Sequence, residues 1–304
     1  SHSLGTMDCD NAAFNSEYID NIIALSSSCK NYISHRFGIK NSDKIKVVFN
    51  SVTDNPDSAT KRQAKMTAEK IKIVFAGGSA ASKSPDVVVP IVNELCKSNL
   101  PFEFYWLGIT TPPLKKFQPF KDIRLILPND ERVIVTGLIP QQQAAEIIAS
   151  CNVFLAPSRR EGFPMALLEA MRIGCIPIVS DFRIANQEII RDGTNGFIIS
   201  HKDIKSFVGR LSDIIKNHAN YKNVYEESYK TFVKELSFPV WRKHIYSIIS
   251  GGAVYHKQRR IMKKYTYKVV VSRFKLLDKY NLIENYMIEV LPCAIKFYKY
   301  YKNK

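Results

Sequence analysis

The sequence predicts an α/β protein built on a parallel sheet with helices on both faces. Three observations carry that expectation. From Ile71 to about Ser250, short apolar runs ending in Gly, Ser or Pro alternate with helical segments. The runs are almost continuously apolar, as in strands buried on both faces. The chain has 304 residues and is 45% hydrophobic, enough to bury a large core.

"IKIVFAGG" (71–78) is a buried strand followed by its glycine turn. In "SPDVVVPIVNELCKSN" (84–99) Ser84 is placed to cap a helix, Pro85 fits its first position and Asp86 suits the dipole. "FEFYWLG" (102–108), "IRLILP" (123–128) and "RVIVTGL" (132–138) read as strands. "PQQQAAEIIASC" (140–151) is a helix opened by Pro140, and "NVFLAPS" (152–158) is a strand. "PMALLEAMRIG" (164–174) is a helix stopped by Gly174. "IPIVS", "NQEIIRDGTNG" and "FIIS" give a strand, a short helix with a turn, and a strand. Helices fill most of 202–250. Sheets of this class bind ligands beyond the carboxyl ends of their strands. That directs attention to loops 77–84, 108–113, 137–140 and 157–164.

The ends of the chain differ from this body. Residues 1–52 hold one helix and one or two strands, "IDNIIALSSSCKNYISHRFG" and "KIKVVFNSV", too little to bury a core alone. They read as the end of a larger amino-terminal domain that is largely missing. Residues 53–70, "TDNPDSATKRQAKMTAEK", form a polar linker. Residues 71–250 are the main domain. Residues 251–304 read as a basic, amphipathic helical extension. Met262, Tyr265, Val269, Leu276, Tyr280, Ile283, Met287 and Val290 recur there at roughly helical spacing among lysines.

Charge and composition narrow the function classes. The net charge is +16, but residues 255–304 alone hold 13 Lys/Arg against 3 Asp/Glu. The body is therefore only mildly basic, and a nucleic-acid-binding core is not expected. The tail suits an anionic membrane surface, or a helix packed on the body with a solvated lysine face. No run approaches the length of a membrane span, and no signal peptide is visible. The six cysteines have no CxxC spacing and the six histidines form no ligand cluster, so reduced thiols, a cytoplasmic setting and no bound metal are expected. "AGGSAASKS" lacks the GxGxxG pattern of a dinucleotide oxidoreductase, and the chain has no Walker loop.

The most specific stretch is "SRREGFPMALLEAMRIGCIP" (158–177), with Glu161 and Glu169 on either side of a helix start. The spacing itself is uninformative, because Glu227 and Glu235 share it in "ESYKTFVKE", which reads as exposed helix surface. Context separates the two pairs. A strand precedes Glu161, Gly162 lets the backbone approach a ligand, and the amides of Gly162, Phe163 and Met165 gather at a helix start, where a phosphate fits. Glu169 lies in an apolar stretch and needs a partner. Either ligand hydroxyls supply it, or Arg172 does at i+3.

"EGFPMALLEAMRIGCIPIVSDFRIANQEIIRDGTNGFII" resembles the donor-binding signature of the family 4 (group 1) retaining glycosyltransferases. "IDNIIALSSSCKNYI", "KIKVVFNSV" and "VIVTGLIPQQQAAEIIASCNVFLAPSRREGFP" resemble other pieces of that family in the same order, from about Asn15 to Ser250. The resemblance implies a GT-B architecture of two Rossmann-like domains, of which this chain carries the carboxy-terminal one. It implies transfer of a sugar from a nucleotide-sugar, UDP- or GDP-linked, to a glycan or lipid-linked acceptor with retention of configuration, without a cofactor. Glu161 would contact the transferred sugar and Lys83, in "GGSAASKSPD", the phosphates; these two are the catalytic candidates. Glu169 would hold the ribose. Gly77, Gly78, Leu138, Arg159, Gly162, Phe163, Pro164, Met165 and Ala166 complete the expected donor site. The family commonly has an arginine where this chain has Gly78, so diphosphate stabilisation would rest on Lys83, the helix amides and Arg159 or Arg160. A noncatalytic nucleotide-sugar-binding module is the alternative.

Overall fold

The computed structural model describes residues 21–37, 42–53, 60, 62, 63, 65, 67–78, 80–109, 126–159, 163–181 and 186–251. Its main body is a six-stranded, wholly parallel sheet. The strands are β3 (Ile71–Phe75), β4 (Phe102–Trp106), β5 (Val133–Val135), β6 (Val153–Ala156), β7 (Ile176–Ser180) and β8 (Phe197–Ile199), following a small amino-side pair, β1 (Ile22–Ala24) and β2 (Ile45–Val47). The helices are α1 (Ser27–Phe37), α2 (Pro85–Cys96), α3 (Gln141–Ser150), α4 (Met165–Met171), α5 (Asn186–Ile189), α6 (Ile204–Asn217), α7 (Lys222–Thr231) and α8 (Phe238–Gly251). Across the main sheet the order is β5-β4-β3-β6-β7-β8. Chain order runs outward in one direction from β3 and then in the other from β6, which is the doubly wound order of Rossmann-type folds.

Strand periodicity divides the core. Ile71, Ile73, Phe75, Phe104, Trp106, Leu155 and Ile178 face one side, where Val88, Ile91 and Val92 of α2 and Phe207, Leu211 and Ile214 of α6 cover them. Val74, Phe154, Ala156 and Val179 face the other, under Ile148 of α3 and Leu167, Leu168 and Met171 of α4. Phe104 and Trp106 are wholly buried. Burial of each such side chain stabilises the fold by roughly 1.5–3 kcal/mol.

The expected strand at 123–128 does not form over its described part. Ile126 and Leu127 lie in a turn. Ile126 is exposed and Leu127 packs on the edge of the core. The partner place beside β4 is taken by β5, with Phe104 opposite Val133 and Trp106 opposite Val135. A short apolar run can thus serve as a patch rather than a strand, and periodicity alone does not separate the two.

The segment 53–70 is fastened to the body at its described residues. The Arg62 guanidinium lies 3.5 Å over the Tyr229 ring. Lys65 is only 4% exposed, and its Nζ donates to Cys175 Sγ at 3.1 Å. Asn152 joins this segment to β3, donating to the Lys65 carbonyl at 3.0 Å and accepting from the Lys72 N–H at 2.9 Å.

The amino-side unit has its own small core of Ile22, Ala24, Cys29, Ile33 and Ile45. β1 and β2 pair in parallel beneath α1. Among the described residues this unit meets the main body at several points: Leu25 is buried in the core cluster that holds Phe154 and Leu167, Val52 bridges Ser237, and two further contacts are specific. Glu188 of α5 accepts from the N–H groups of Ser27 (2.8 Å) and Ser28 (3.1 Å), supplying the anionic cap that the first turn of α1 lacks. Phe49, just beyond β2, stacks on Phe163 with ring centroids 5.6 Å apart. The basic extension lies outside the described residues. Among those that are described, no helix is long and apolar enough to cross a membrane.

Candidate functional site

The order of the main sheet reverses between β3 and β6, so the loops leaving their carboxyl ends diverge and open a crevice there. After β3 the chain passes through Ala76, Gly77 and Gly78 to a 3₁₀ turn, Ala81–Lys83, and then α2. After β6 it passes through Pro157, Ser158 and Arg159 to Pro164, which caps α4. Lys83 from the first loop and Ser158, Pro164 and Ala166 from the second line one recess above the strand ends. Three of the expected residues, Lys83, Pro164 and Ala166, therefore meet at one place. Met165 opens α4, and Phe163 is buried beneath the loop against Phe49. Glu161, Gly162 and Arg160 lie outside the described residues.

Gly77 and Gly78 have clear physical reasons. A Cβ on Gly77 would run into the Phe75 ring and come within 2.9 Å of Lys83 Cβ, so the lysine stem packs directly over this glycine. Gly78 has φ +54, and a Cβ there would lie 2.7 Å from the Gly108 carbonyl oxygen. Its peptide groups are clamped on both sides. The Gly78 N–H donates to the Leu107 carbonyl at 3.0 Å, and its carbonyl accepts from Trp106 Nε1 at 2.9 Å. The position where the resemblance leads one to expect arginine therefore has a backbone that disfavours any side chain.

The two lips of the crevice are laced together. The Arg159 N–H donates to the Ser82 carbonyl at 2.8 Å, and its guanidinium forms an ion pair with Asp86 in the first turn of α2. Asp86 Oδ1 is buried with no hydrogen-bond partner. Ser84 does not cap α2 with its side chain, as the sequence suggests. It takes a left-handed backbone (φ 60, ψ 55), and its Oγ instead lies 2.9 Å from Nε2 of the buried His201. Burial and the Arg159 charge push the His201 pKa down; Asp86 and Asp181 oppose this, and Lys202 adds to it.

Glu169 sits a turn inside α4 and is partly buried. Among the described residues it makes no hydrogen bond or ion pair. Arg172 instead donates to the Thr53 carbonyl at 2.9 Å and acts on Glu169 only through its charge. Burial raises the Glu169 pKa above the ordinary carboxylate value, and Arg172 partly offsets this. Leu138 follows the edge strand β5 and is 77% exposed. Glu227 and Glu235, the pair of equal spacing, spend their carboxylates on surface ion pairs with Lys230 and Arg191. Asp86, His201 and Phe49 escaped the sequence reading as parts of this region. For His201 a signal existed, since it follows "FIIS" at a strand's carboxyl end. For Phe49 none did, because its partner is over a hundred residues away.

A family model described as "Glycosyl transferases group 1" matches residues 57–231. The chain is similar to a lipopolysaccharide 1,6-galactosyltransferase of Salmonella typhimurium, 27% identical over 233 residues, which are 76% of this chain and 62% of that protein. Among solved structures it is similar to S. aureus TarM, determined with fondaparinux, α-GlcNAc-glycerol and UDP (TM-score 0.67, 15% identity, 82% of this chain and 49% of that one). It is likewise similar to Anabaena Alr3699/HepE with UDP and glucose (TM-score 0.64, 15% identity, 80% of this chain and 67% of that one). The chain thus spans about half to two thirds of the proteins it resembles, and its fold is of the GT-B type.

Proposed function

We propose, because this chain belongs to the group 1 glycosyl transferases, that it binds a nucleoside-diphosphate sugar in the crevice between β3 and β6 and serves its transfer to an acceptor with retention of configuration. The observation that carries this is the meeting of Lys83 with Ser158, Pro164 and Ala166 in one recess where the strand order reverses. The UDP in the TarM and HepE structures supports the donor class.

In this reading Lys83 holds the diphosphate as a point charge, with the amides at the start of α4 around Met165 and Ala166. Glu169, without a described partner, accepts from ribose hydroxyls, and Glu161 from hydroxyls of the sugar. Phe163, Pro164 and Gly162 shape the loop, Gly77 makes room for the lysine stem, and Leu138 flanks the base. Arg159 acts by tying the two lips together through Asp86. The anomeric carbon–phosphate oxygen bond breaks, and the bond to the acceptor oxygen forms on the same face. The leaving phosphate oxygen takes the acceptor's proton, so no protein nucleophile is required.

The acceptor class we propose is a growing surface polysaccharide or glycolipid, which the galactosyltransferase relative supports. The basic residues 255–304 would hold the protein at the anionic cytoplasmic face of a membrane. A noncatalytic donor-binding module is the second reading, and Gly78 favours it, since its backbone leaves no place for a diphosphate-neutralising arginine. Calorimetric titration with UDP-, GDP- and ADP-sugars, with release of the nucleoside diphosphate followed in parallel, tests both. Binding with turnover is the expected result. Binding without turnover in the full-length gene product rejects the transferase reading, and failure to bind any of the donors rejects both.

A further inference from the structure

His201 is 6% exposed, and the proposed reaction gives it no part. It stands just past the carboxyl end of β8. Its backbone N–H donates to Asp181 Oδ1 at 2.9 Å, which anchors it to the end of β7. Its Nε2 lies 2.9 Å from the Ser84 hydroxyl.

Ser84 is the only described non-glycine residue with positive φ. That conformation is unfavourable for an L-residue unless surrounding contacts impose it. Local bonds do part of this: the Ser84 N–H donates to the Ala81 carbonyl at 3.2 Å, and its carbonyl accepts from Val87 (3.0 Å) and Val88 (3.2 Å). The restraint from a distant element is the bond to His201. Ser84 is also the joint between the 3₁₀ turn Ala81–Lys83 and α2. Its φ and ψ therefore set how that turn, and the lysine that ends it, is directed against the crevice. Burial and the adjacent Arg159 guanidinium disfavour an imidazolium, while Asp86 and Asp181 favour one and Lys202 does not. A neutral ring suits the bond to the Ser84 hydroxyl.

We infer that His201 is a positioning residue for Lys83: through Ser84 it holds the left-handed joint that aims Lys83 at the phosphates of a bound nucleoside diphosphate. This inference rests on the donor-binding reading above and adds to it a residue from just beyond the far edge strand.

The test is titration of the full chain with UDP and GDP, and with uridine and guanosine, which lack the phosphates. H201A should weaken the nucleoside diphosphate that the wild type binds by about tenfold, the scale of one misplaced charge-assisted contact. Affinity for the matching nucleoside should not move. In the K83A background H201A should cost nothing further, because its effect passes through Lys83. In the H201A background S84G should recover most of the loss, because glycine takes the left-handed joint without help. If H201A fails to fold, S84A carries the same expectation, with the histidine in place and only the hydroxyl gone. Undiminished diphosphate affinity in a folded H201A or S84A protein overturns the inference. So does an equal loss for uridine or guanosine, or an H201A penalty that persists without Lys83. Failure of the wild type to bind either diphosphate removes the underlying reading instead, and shows itself before any variant is made.

Discussion

At Gly78 the chain is locally incompatible with the arginine that the family resemblance leads one to expect. Its φ is positive, the Gly108 carbonyl blocks the Cβ direction, and Trp106 holds its carbonyl. Installing the arginine should therefore harm the protein rather than improve catalysis. G78R is expected to destabilise the fold by about 1–3 kcal/mol, read as a lowered urea midpoint, with no gain in turnover. A rise in kcat at unchanged stability would show that the loop can refold around the side chain. Glu169 presents the opposite case, a partly buried carboxylate with no hydrogen bond or ion pair among the described residues. Its pKa is raised in the folded state, so the native protein binds the proton more tightly than the unfolded chain does. The resulting penalty is absent below the ordinary carboxylate range and grows as pH rises through the folded value. E169Q should therefore flatten the pH dependence of stability and raise the melting temperature at pH 7–8, while weakening binding of the donor. Melting curves at pH 4, 6 and 8 decide this; an E169Q protein that melts lower at pH 8 would mean that the carboxylate has a stabilising partner.

At the scale of elements, the small β1–α1–β2 unit depends on contacts outside itself. Glu188 caps α1 from across the chain, with both carboxylate oxygens on backbone N–H groups. E188A is expected to cost about 1 kcal/mol. The cost should appear first as faster hydrogen exchange at Ser27 and Ser28, with the exchange of β3 and β6 unchanged. Uniform acceleration across the main sheet would instead make the two units one cooperative block. The elements most legible in the sequence were those whose signals are local. "IKIVFAGG", "NVFLAPS" and "IPIVS" became β3, β6 and β7, and Gly174 ended the α4 segment with φ +69. "IRLILP" misled because β5 takes the place beside β4. Within the site, Lys83, Pro164 and Ala166 were foreseeable from motif order. The bonds His201–Ser84 and Arg159–Asp86, and the stack of Phe49 on Phe163, were not, since each joins residues far apart in sequence and of ordinary local character.

Across the whole molecule, charge and fold are divided. Of the net +16, about +10 lies in residues 255–304, while the parallel sheet and its crevice occupy the mildly basic remainder. Deletion of residues 255–304 is expected to abolish cosedimentation with anionic vesicles at low salt and to leave UDP affinity as it was. Vesicle binding that survives the deletion would locate the lipid-facing surface on the body instead. The clamp on Gly78 has a practical consequence for all these measurements. The chain has two tryptophans, Trp106 and Trp241, and the first is wholly buried with its indole N–H on the Gly78 carbonyl. A ligand that shifts the glycine turn alters that bond, so the emission colour and intensity of Trp106 in a W241F background should report occupancy directly. The protein thus contains its own optical probe, hydrogen-bonded to the glycine turn that follows β3.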